Sequence, residues 1–349
     1  MKSKNYSESI IKVFKKDGFV LSEPDVLLDS DYIIERSGEN FRKIMLTFED
    51  DAGKSMCLRP DLTVASCIKY LKDNSKANSK IYYSGQAYRK SQSLNKVINY
   101  QLGLEIFGSK NKSIDDLKVL KTITNSINKI KIKNISIKVG DVSLFKQLIE
   151  SLKIPERWRM RLKRHFWRPQ YFEDLLDRLE TNSDVDPSTV ELDKEKFFKM
   201  KNIDQNKEIA NRKVSEIISR FDRKIRDPRS FKENKKTVKI IKDFLKINCQ
   251  LNKLEKTLNN FIRKNQLNKN VFKDLTSLKS LAKFNSKMIF STNFGRDIEY
   301  YSGVVFEIYN SSKKEIARGG RYDGLLKNLG SKTNISAVGA AINLNNLKI

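Results

Sequence analysis

The stretch that decides the fold is residues 81–108, IYYSGQAYRKSQSLNKVINYQLGLEIFG, which predicts two strands joined by a polar connection. Side chains alternate along a strand, so four residues of the first strand share a side: Tyr83, Gly85, Ala87 and Arg89. On the second strand, Gln101, Gly103 and Glu105 share one face, and the other face is aliphatic. We therefore expect a guanidinium, an amide and a carboxylate to converge on one sheet surface. The two glycines are expected to leave room there for a small polar ligand.

The composition is that of a globular protein of 349 residues, long enough for two domains or for one large domain with an insertion. No run of 18 apolar residues is available to span a membrane, and the N-terminus lacks the apolar segment of a signal peptide. Cys57, Cys67 and Cys249 form no CxxC pair, so we expect reduced thiols in a cytoplasmic protein.

The formal net charge of +27 has two interpretations. A strongly basic chain is typical of nucleic-acid binding. Here the lysines are spread evenly and accompany abundant Asn and Ile, as biased codon usage in an AT-rich genome would produce. The second interpretation is favoured, and nucleic acid is kept as a minor hypothesis.

The chain divides into three segments by pattern. Residues 1–141 mix strands and helices, including a strand predicted over Lys43–Phe48 and a strand, Pro-fixed turn and helix over 58–71. Residues 142–284 are almost wholly helical and poor in glycine, which predicts a helical insertion. Residues 285–349 return to strands, and 335–349 predict a small-residue helix or a strand–helix element.

Two local features each allow two interpretations. Asp61 and Thr63 stand at the predicted start of a helix, where their oxygens either cap amides or face a ligand amine. The basic, aromatic stretch 157–172 either grips an anion or is an amphipathic helix that buries Trp158, Leu162 and Phe166. Its His165 is the only histidine in the chain, which excludes a histidine-based metal site or a Ser-His triad.

Five motifs in order resemble histidyl-tRNA synthetase and its catalytically silent relatives. They are LRPDLT (58–63), GQAYR…YQLGLEIFG (85–108), GRDIEYYSGVVFE (295–307), ARGGRYDGL (317–325) and AVGAAINL (337–344). The resemblance covers about residues 1–140 and 285–349. It implies an α+β class II synthetase fold, an antiparallel sheet flanked by helices.

The same resemblance implies a pocket for histidine. Glu105 and Tyr301 would hold the imidazole, with Tyr300 beside them and Tyr322 lining the pocket. Asp61, Thr63 and Gln101 would hold the α-amino group. Arg296 would pair with the α-carboxylate through a charge-assisted contact.

The nucleotide site departs from the synthetase pattern. Arg89 matches the first ATP-binding arginine and marks a residual nucleotide site, but Val97 stands where the second is expected. Asn346 replaces the final arginine, and the sequence stops at Ile349, without an anticodon-binding domain. These departures resemble the regulatory-subunit group of ATP phosphoribosyltransferase.

That group implies a chain with no catalytic residues, no cofactor and no metal. Its partners would be a short-form catalytic subunit, a second copy of itself and free L-histidine as effector, in the first step of histidine biosynthesis. The alternative is a histidyl-tRNA synthetase-like amino-acid ligase, which the retained Arg89 and Arg296 support.

Overall fold

The computed structural model describes residues 2–37, 39–73, 78–91, 97–181, 187–209, 212–226, 232–296 and 298–347. The polar connection predicted between the two opening strands falls partly on residues 92–96, outside these ranges. In the described part of the chain, no helix is both long enough and apolar enough to cross a membrane.

The strands of the described residues follow one another as β1 (Val20–Leu21), β2 (Leu27–Asp29), β3 (Leu46–Glu49), β4 (Ser55–Leu58), β5 (Ser79–Tyr88), β6 (Ile98–Phe107), β7 (Ser136–Asp141), β8 (Glu208–Ile209), β9 (Arg212–Lys213), β10 (Asn248–Gln250), β11 (Ile289–Ser291), β12 (Val304–Tyr309), β13 (Glu315–Arg321) and β14 (Ala337–Asn343).

The helices are α1 (Lys2–Lys16), α2 (Ser30–Ser37), α3 (Glu39–Ile44), α4 (Leu62–Lys72), α5 (Lys112–Lys129), α6 (Val142–Ser151), α7 (Glu156–His165), α8 (Pro169–Thr181), α9 (Pro187–Lys201), α10 (Val214–Arg226), α11 (Asn234–Leu245), α12 (Leu254–Lys264), α13 (Thr276–Phe284) and α14 (Leu325–Asn328). Short 3₁₀ turns occupy Leu251–Lys253 and Leu344–Asn346.

One large sheet organises the fold. Among the described residues it has nine strands in the order β1-β5-β6-β14-β13-β12-β7-β11-β10. The six strands from β5 to β7 are antiparallel throughout, whereas β1 joins β5 and β11 joins β7 in parallel. The predicted α+β fold, with a mainly antiparallel sheet and flanking helices, is confirmed.

Two local predictions differ from the structure. The strand predicted over Lys43–Phe48 begins only at Leu46, because α3 continues to Ile44 and Met45 is buried in the core beside α4. Of the two alternatives for residues 335–349, a strand followed by a short helical turn is present. That strand, β14, lies between β6 and β13. Its own residues are small, which leaves room for the larger side chains of its two neighbours.

Helices α1 and α5 cover the sheet on the side away from the opening polar residues. Phe14 of α1 meets Tyr82 of β5 edge to face, with ring centroids 6.0 Å apart. Helix α13 packs on α5, and the contact is polar at two places. Ser277 Oγ donates to Asp116 Oδ2 at 2.6 Å, and Ser113 and Ser280 hydroxyls lie 2.8 Å apart.

The structure divides into two compact units. The first comprises residues 1–144, 247–260 and 272–349, and the second comprises 145–246 and 261–271. These limits differ from the predicted segment 142–284 at its far end. Residues 247–260 and 272–284 belong to the first unit because β10 pairs with β11 and α13 packs on α5.

An aromatic cluster forms the core of the second unit. Phe145 stacks on Phe166 with centroids 3.7 Å apart, and Phe172 meets both rings edge to face. Trp158 and Leu162 of α7 are also buried, so the packing alternative describes the 157–172 stretch. Two of its arginines lie over aromatic faces, Arg161 over Trp158 and Arg168 over Trp167.

A buried ion-pair network fastens the large sheet to α5. Arg321, at the end of β13, donates through Nε to Asp116 Oδ1 at 2.8 Å and through Nη1 to Asp323 Oδ1 at 2.9 Å. Its Nη2 also donates to the carbonyl of Lys112. Asp323 Oδ1 accepts from the amide of Ala337, which extends the network to β14. Because these hydrogen bonds hold the guanidinium of Arg321 in place, they also fix the position of Tyr322, the next residue in the chain.

Removing Asp116 is expected to destabilise the first unit. Asp116→Ala leaves a buried guanidinium short of its main partner, and such a loss costs about 3 kcal/mol of unfolding free energy. Glu255→Ala is the matched control, because Glu255 pairs with Lys279 on the exposed surface, where a pair contributes below about 1 kcal/mol. Urea unfolding of both variants measures the difference, and equal losses would contradict the assignment.

Candidate functional site

Two rows of paired residues cross the strands of the sheet on the face that carries the candidate site. Residues directly opposite in an antiparallel sheet point to the same side. The first row reads Tyr83, Gly103, Ala341, Arg318, Glu307 and Lys138. The second reads Ile81, Glu105, Gly339, Gly320, Val305 and Gly140. Small residues at the centre of both rows leave a depression between Glu105 on one side and Arg318 on the other.

A pocket of about 140 Å³ occupies this depression. Its lining side chains come from the helix α4 start, the sheet and the turn before β12, and they are Asp61, Thr63, Arg89, Gln101, Ile298, Tyr300, Tyr301, Glu315, Arg318, Gly319, Tyr322, Gly339, Ala340, Ala341 and Asn343. Six of the eight side chains predicted to bind histidine therefore line a single pocket, and so does Arg89.

Glu105 lies directly beneath the pocket, with no surface exposed. Thr63 Oγ1 donates to its Oε1 at 2.9 Å and Tyr83 Oη at 3.2 Å, while the hydroxyl of Tyr322 donates to Oε2. Burial raises the pKa of Glu105 to about 8, against the lowering effect of these three hydroxyls. The carboxyl group does not line the pocket itself. It is hydrogen-bonded to Thr63 and Tyr322, both of which do.

The absence of a side chain on Gly339, opposite Glu105 in β14, makes the position of Glu105 possible. A Cβ on Gly339 would lie 1.3 Å from Glu105 Oε2, so no other residue fits there. The two glycines of the opening stretch have a different role from the one expected. A Cβ on Gly103 would meet Tyr83 Oη at 2.3 Å, and one on Gly85 would meet Arg59 Nη2 at 2.5 Å. The space above them therefore holds the protein's own side chains, not a ligand.

Both functions proposed for Asp61 are compatible with its geometry. Its Oδ1 accepts the amide of Val64 at 2.7 Å, so it caps α4. The side chain also lines the pocket, and burial raises its pKa, opposed by that amide and by the charge of Arg89. Arg89 faces the same space while its Nε donates to the carbonyl of Pro60 at 2.7 Å. A capping carboxylate and a guanidinium thus stand side by side at one end of the pocket.

Three tyrosines form the aromatic wall of the pocket. The ring centroid of Tyr300 lies 5.2 Å from that of Tyr301 and 5.8 Å from that of Tyr322, both edge to face. Tyr301 rests over Gly320, where a Cβ would approach its ring to 2.8 Å. Burial raises the pKa of Tyr300 and of Tyr322, so both remain neutral hydroxyls. Gln101 completes the polar side of this wall.

Arg296 is not brought to the pocket in the way its predicted role requires. It is buried, its Nη1 donates to Asn293 Oδ1, and among the described residues it is not one of those that line the cavity. The turn 291–296 holds it against the protein instead. The guanidinium groups that do line the cavity are those of Arg89 and Arg318.

Arg318 and Glu315 are pocket residues that the sequence reasoning missed. The alternation of side chains along β13 was one signal for Arg318, because it places Arg318 on the same face as Gly320. A lone carboxylate in the apolar strand VVFEIY, Glu307, was the second signal. Among the described side chains, no cluster of three or more His, Cys, Asp or Glu is arranged to hold a metal ion.

Comparison with known proteins places this geometry in context. A family model described as histidyl-tRNA synthetase matches residues 1–347. An ATP phosphoribosyltransferase regulatory subunit from Allorhizobium ampelinum is 23% identical over 363 residues, which cover 99% of this chain and 97% of that protein. The subunit of the same name from Brucella anthropi is 26% identical over 349 residues, 94% of this chain and 92% of that protein.

Solved structures share the fold. An ATP phosphoribosyltransferase regulatory subunit/histidyl-tRNA synthetase from Bacillus halodurans superposes with a TM-score of 0.64 at 17% identity, covering 99% of this chain and 77% of that one. Histidyl-tRNA synthetase from Nostoc sp. gives a TM-score of 0.62 at 14% identity, with 99% and 70% coverage.

We expect Gly339→Ala to disrupt the pocket. The added methyl displaces Glu105 from its hydroxyl partners, and overpacking together with a broken buried network costs at least about 2 kcal/mol. Gly324→Ala is the matched control, because a Cβ there meets nothing within 4 Å, and its effect should stay within about 0.5 kcal/mol. Urea unfolding followed by circular dichroism tests the pair. Equal stability of the two variants would show that Glu105 is not held in this slot.

A second prediction concerns pH. Folding raises the pKa of Glu105 from an ordinary 4.5 to about 8, so between these values the folded state holds a proton that the unfolded state releases. The stabilisation that comes from this raised pKa is fully present below pH 4.5 and is lost as pH rises toward 8. The free energy of unfolding then falls by up to about 1.4 kcal/mol per pH unit. Glu105→Gln removes this dependence. The wild-type unfolding free energy minus that of the variant should therefore fall with rising pH, and a constant difference would contradict the prediction.

Proposed function

The chain belongs to the histidyl-tRNA synthetase family, and from this premise we propose that it is the non-catalytic regulatory subunit of an ATP phosphoribosyltransferase. It binds free L-histidine in the pocket and acts on a short-form catalytic subunit. That subunit forms phosphoribosyl-ATP from ATP and phosphoribosyl pyrophosphate, the first step of histidine biosynthesis. We further propose that the chain forms a hetero-oligomer with that subunit in the cytoplasm and that it also pairs with a second copy of itself.

The observation that carries the proposal is the single pocket over Glu105. It supplies a partner for each group of free histidine, which offers an ammonium, a carboxylate and two ring nitrogens. The relatives that match nearly the whole chain, and are themselves matched over nearly their whole length, carry the regulatory-subunit name. A chain that shares the fold, and whose full-length relatives carry this name, is best understood as a sensor of the pathway's end product.

Each part of the ligand has an assigned partner. Asp61 and Gln101 receive the α-ammonium, the first as a charge-assisted bond. The imidazole lies against Tyr300 and Tyr301 and exchanges hydrogen bonds with Thr63 and Tyr322. Behind these two hydroxyls, Glu105 fixes their direction.

The α-carboxylate is assigned to Arg89 in place of Arg296. Arg89 lines the pocket together with Asp61, whereas Arg296 is buried and is not one of the described residues that line the pocket. A zwitterionic ligand thus meets a carboxylate and a guanidinium in adjacent positions, which orients its backbone and leaves its ring toward the tyrosines.

Binding at this pocket regulates the partner only through a difference in affinity. Histidine must bind one state of the hetero-oligomer more tightly than another, and the ratio of the two affinities sets the coupling free energy. The network from Tyr322 through Arg321 to α5 is a continuous, rigid connection from the pocket to the far side of the sheet. It is a structural candidate for the element that differs between the states.

The alternative function, a synthetase-like ligase, has weaker support. The backbone amide of Arg89 donates to the carbonyl of Val97 at 2.9 Å, so Val97 extends the strand pairing where an arginine was expected. Asn346 Nδ2 donates to the backbone carbonyl of Glu315 at 2.7 Å. Neither residue provides the fixed positive charge that adenylate formation requires.

The test adds purified chain to a short-form catalytic subunit and measures phosphoribosyl-ATP formation with and without histidine. We expect activity to depend on the chain and to respond to histidine. In calorimetry, Gln101→Ala should weaken histidine binding about 10-fold, the cost of one bond to a charged group. Gln205→Ala, an amide in the second unit, serves as the control and should bind as the unaltered chain does.

Two outcomes would overturn the proposal. The first is partner activity and histidine sensitivity that do not change when the chain is added. The second is histidine-dependent exchange of pyrophosphate into ATP by the chain alone, which would establish the ligase alternative.

A further inference from the structure

A cluster of three charged side chains on neighbouring strands includes two that line the pocket, Arg318 and Glu315, and a third, Glu307, that does not. Arg318 Nη2 lies 2.5 Å from Glu307 Oε1 and 2.8 Å from Glu315 Oε2. Its Nε also donates to Glu315 Oε2, at 3.2 Å. One guanidinium therefore meets two carboxylates, and the cluster has a net negative charge.

The two carboxylates stand in different environments. Glu307 is opposite Arg318 in the pairing of β12 with β13, its side chain is 8% exposed, and it accepts a hydrogen bond from the hydroxyl of Tyr309. Glu315 lines the pocket, and its side chain is 31% exposed. Glu307 is thus the buried partner of Arg318, and Glu315 is the one that faces a ligand.

The backbone beneath Glu315 is also held in place. Asn346 Nδ2 donates to its carbonyl, and β13 begins at this residue. On the opposite side of Arg318, its strand neighbour Ala341 brings only a methyl group to the pocket floor. Glu315 is consequently the carboxylate that is paired with Arg318 at the pocket surface.

A phosphate group bound to this arginine would need its forked N–H donors and a local excess of positive charge. Both conditions are weakened here, because Nε and Nη2 of Arg318 already contact carboxylates and the extra carboxylate repels an anion. The result is an excess of one carboxylate at the Arg318 end of the pocket, in a chain whose net charge is +27.

We propose that Glu315, with Glu307 behind it, determines the specificity of the pocket by closing its Arg318 end to phosphate-bearing ligands. Glu315 acts as a built-in competitor that takes the place of a ligand phosphate on Arg318. The pocket consequently admits a small zwitterion and rejects nucleotides and pyrophosphate. This inference concerns anion exclusion alone, so it stands or falls separately from the proposed histidine effector.

The experiment is a gain of anion binding. Inorganic pyrophosphate is titrated calorimetrically into the full chain and into Glu315→Gln, which keeps the shape of the side chain and removes its charge. We expect no saturable binding of pyrophosphate to the unaltered chain. The variant should bind it saturably, with an affinity at least 10-fold above the weakest that the titration can detect. Adding Arg318→Gln to Glu315→Gln should abolish the gain.

The matched control removes the same charge elsewhere. Glu255→Gln lies on the exposed surface beside Lys279, so it tests whether any lost carboxylate of this basic chain increases anion binding. Circular dichroism verifies that each variant is folded, and Glu315→Ser replaces Glu315→Gln if the latter is not.

Three results would overturn the proposal: saturable pyrophosphate binding to the unaltered chain that Arg318→Gln abolishes, no gain in a folded Glu315 variant, or an equal gain in Glu255→Gln. The first would mean that the site is open, the second that Glu315 is not the barrier, and the third that the effect is one of overall charge. None of these measurements uses histidine.

Discussion

The buried carboxyl group of Glu105 is the constraint on which the rest of the pocket depends. An ionisable group taken out of water is costly unless hydrogen bonds replace its hydration. Here the three donors come from three separate elements: Thr63 from α4, Tyr83 from β5 and Tyr322 from the turn after β13. Satisfying one carboxyl group therefore fixes the relative positions of these elements. The pocket wall formed by Thr63 and Tyr322 is a consequence of that requirement.

Charge is distributed in the opposite sense on the surface and in the pocket. The basic surface is diffuse and would attract anions from any direction. Within the pocket, carboxylates accompany each lining guanidinium, Asp61 beside Arg89 and Glu315 beside Arg318. Local pairing therefore outweighs the overall field over distances of a few ångströms, where screening by salt is incomplete. A basic chain can thus keep a pocket in which each lining guanidinium has a carboxylate beside it.

The strands of the site were predictable because alternation fixes which side chains share a face. Gln101 and Glu105 follow from the pattern of β6 alone, and Asp61 and Thr63 follow from the start of α4. What lies opposite them did not follow, because cross-strand register is a tertiary property. Gly339 and Arg318 belong to the site only because β14 pairs with β6 and β13 pairs with β14, more than two hundred residues away from β6 in sequence. The purpose of Gly103 and Gly85 was misjudged for the same reason, since Tyr83 covers Gly103 from the paired strand β5 and Arg59 covers Gly85 from the segment after β4.

The place of β14 in the sheet has a kinetic consequence. Strand β6 ends at Phe107, and its partner β14 begins only at Ala337. During synthesis, the β5–β6 hairpin must wait with one edge unpaired until that distant segment emerges from the ribosome. Closing so long a loop is slow, and an exposed strand edge is a surface for pairing with other chains. The pocket is therefore among the last parts of the molecule to form, and truncated or stalled chains would present an aggregation-prone sheet edge in place of a ligand site.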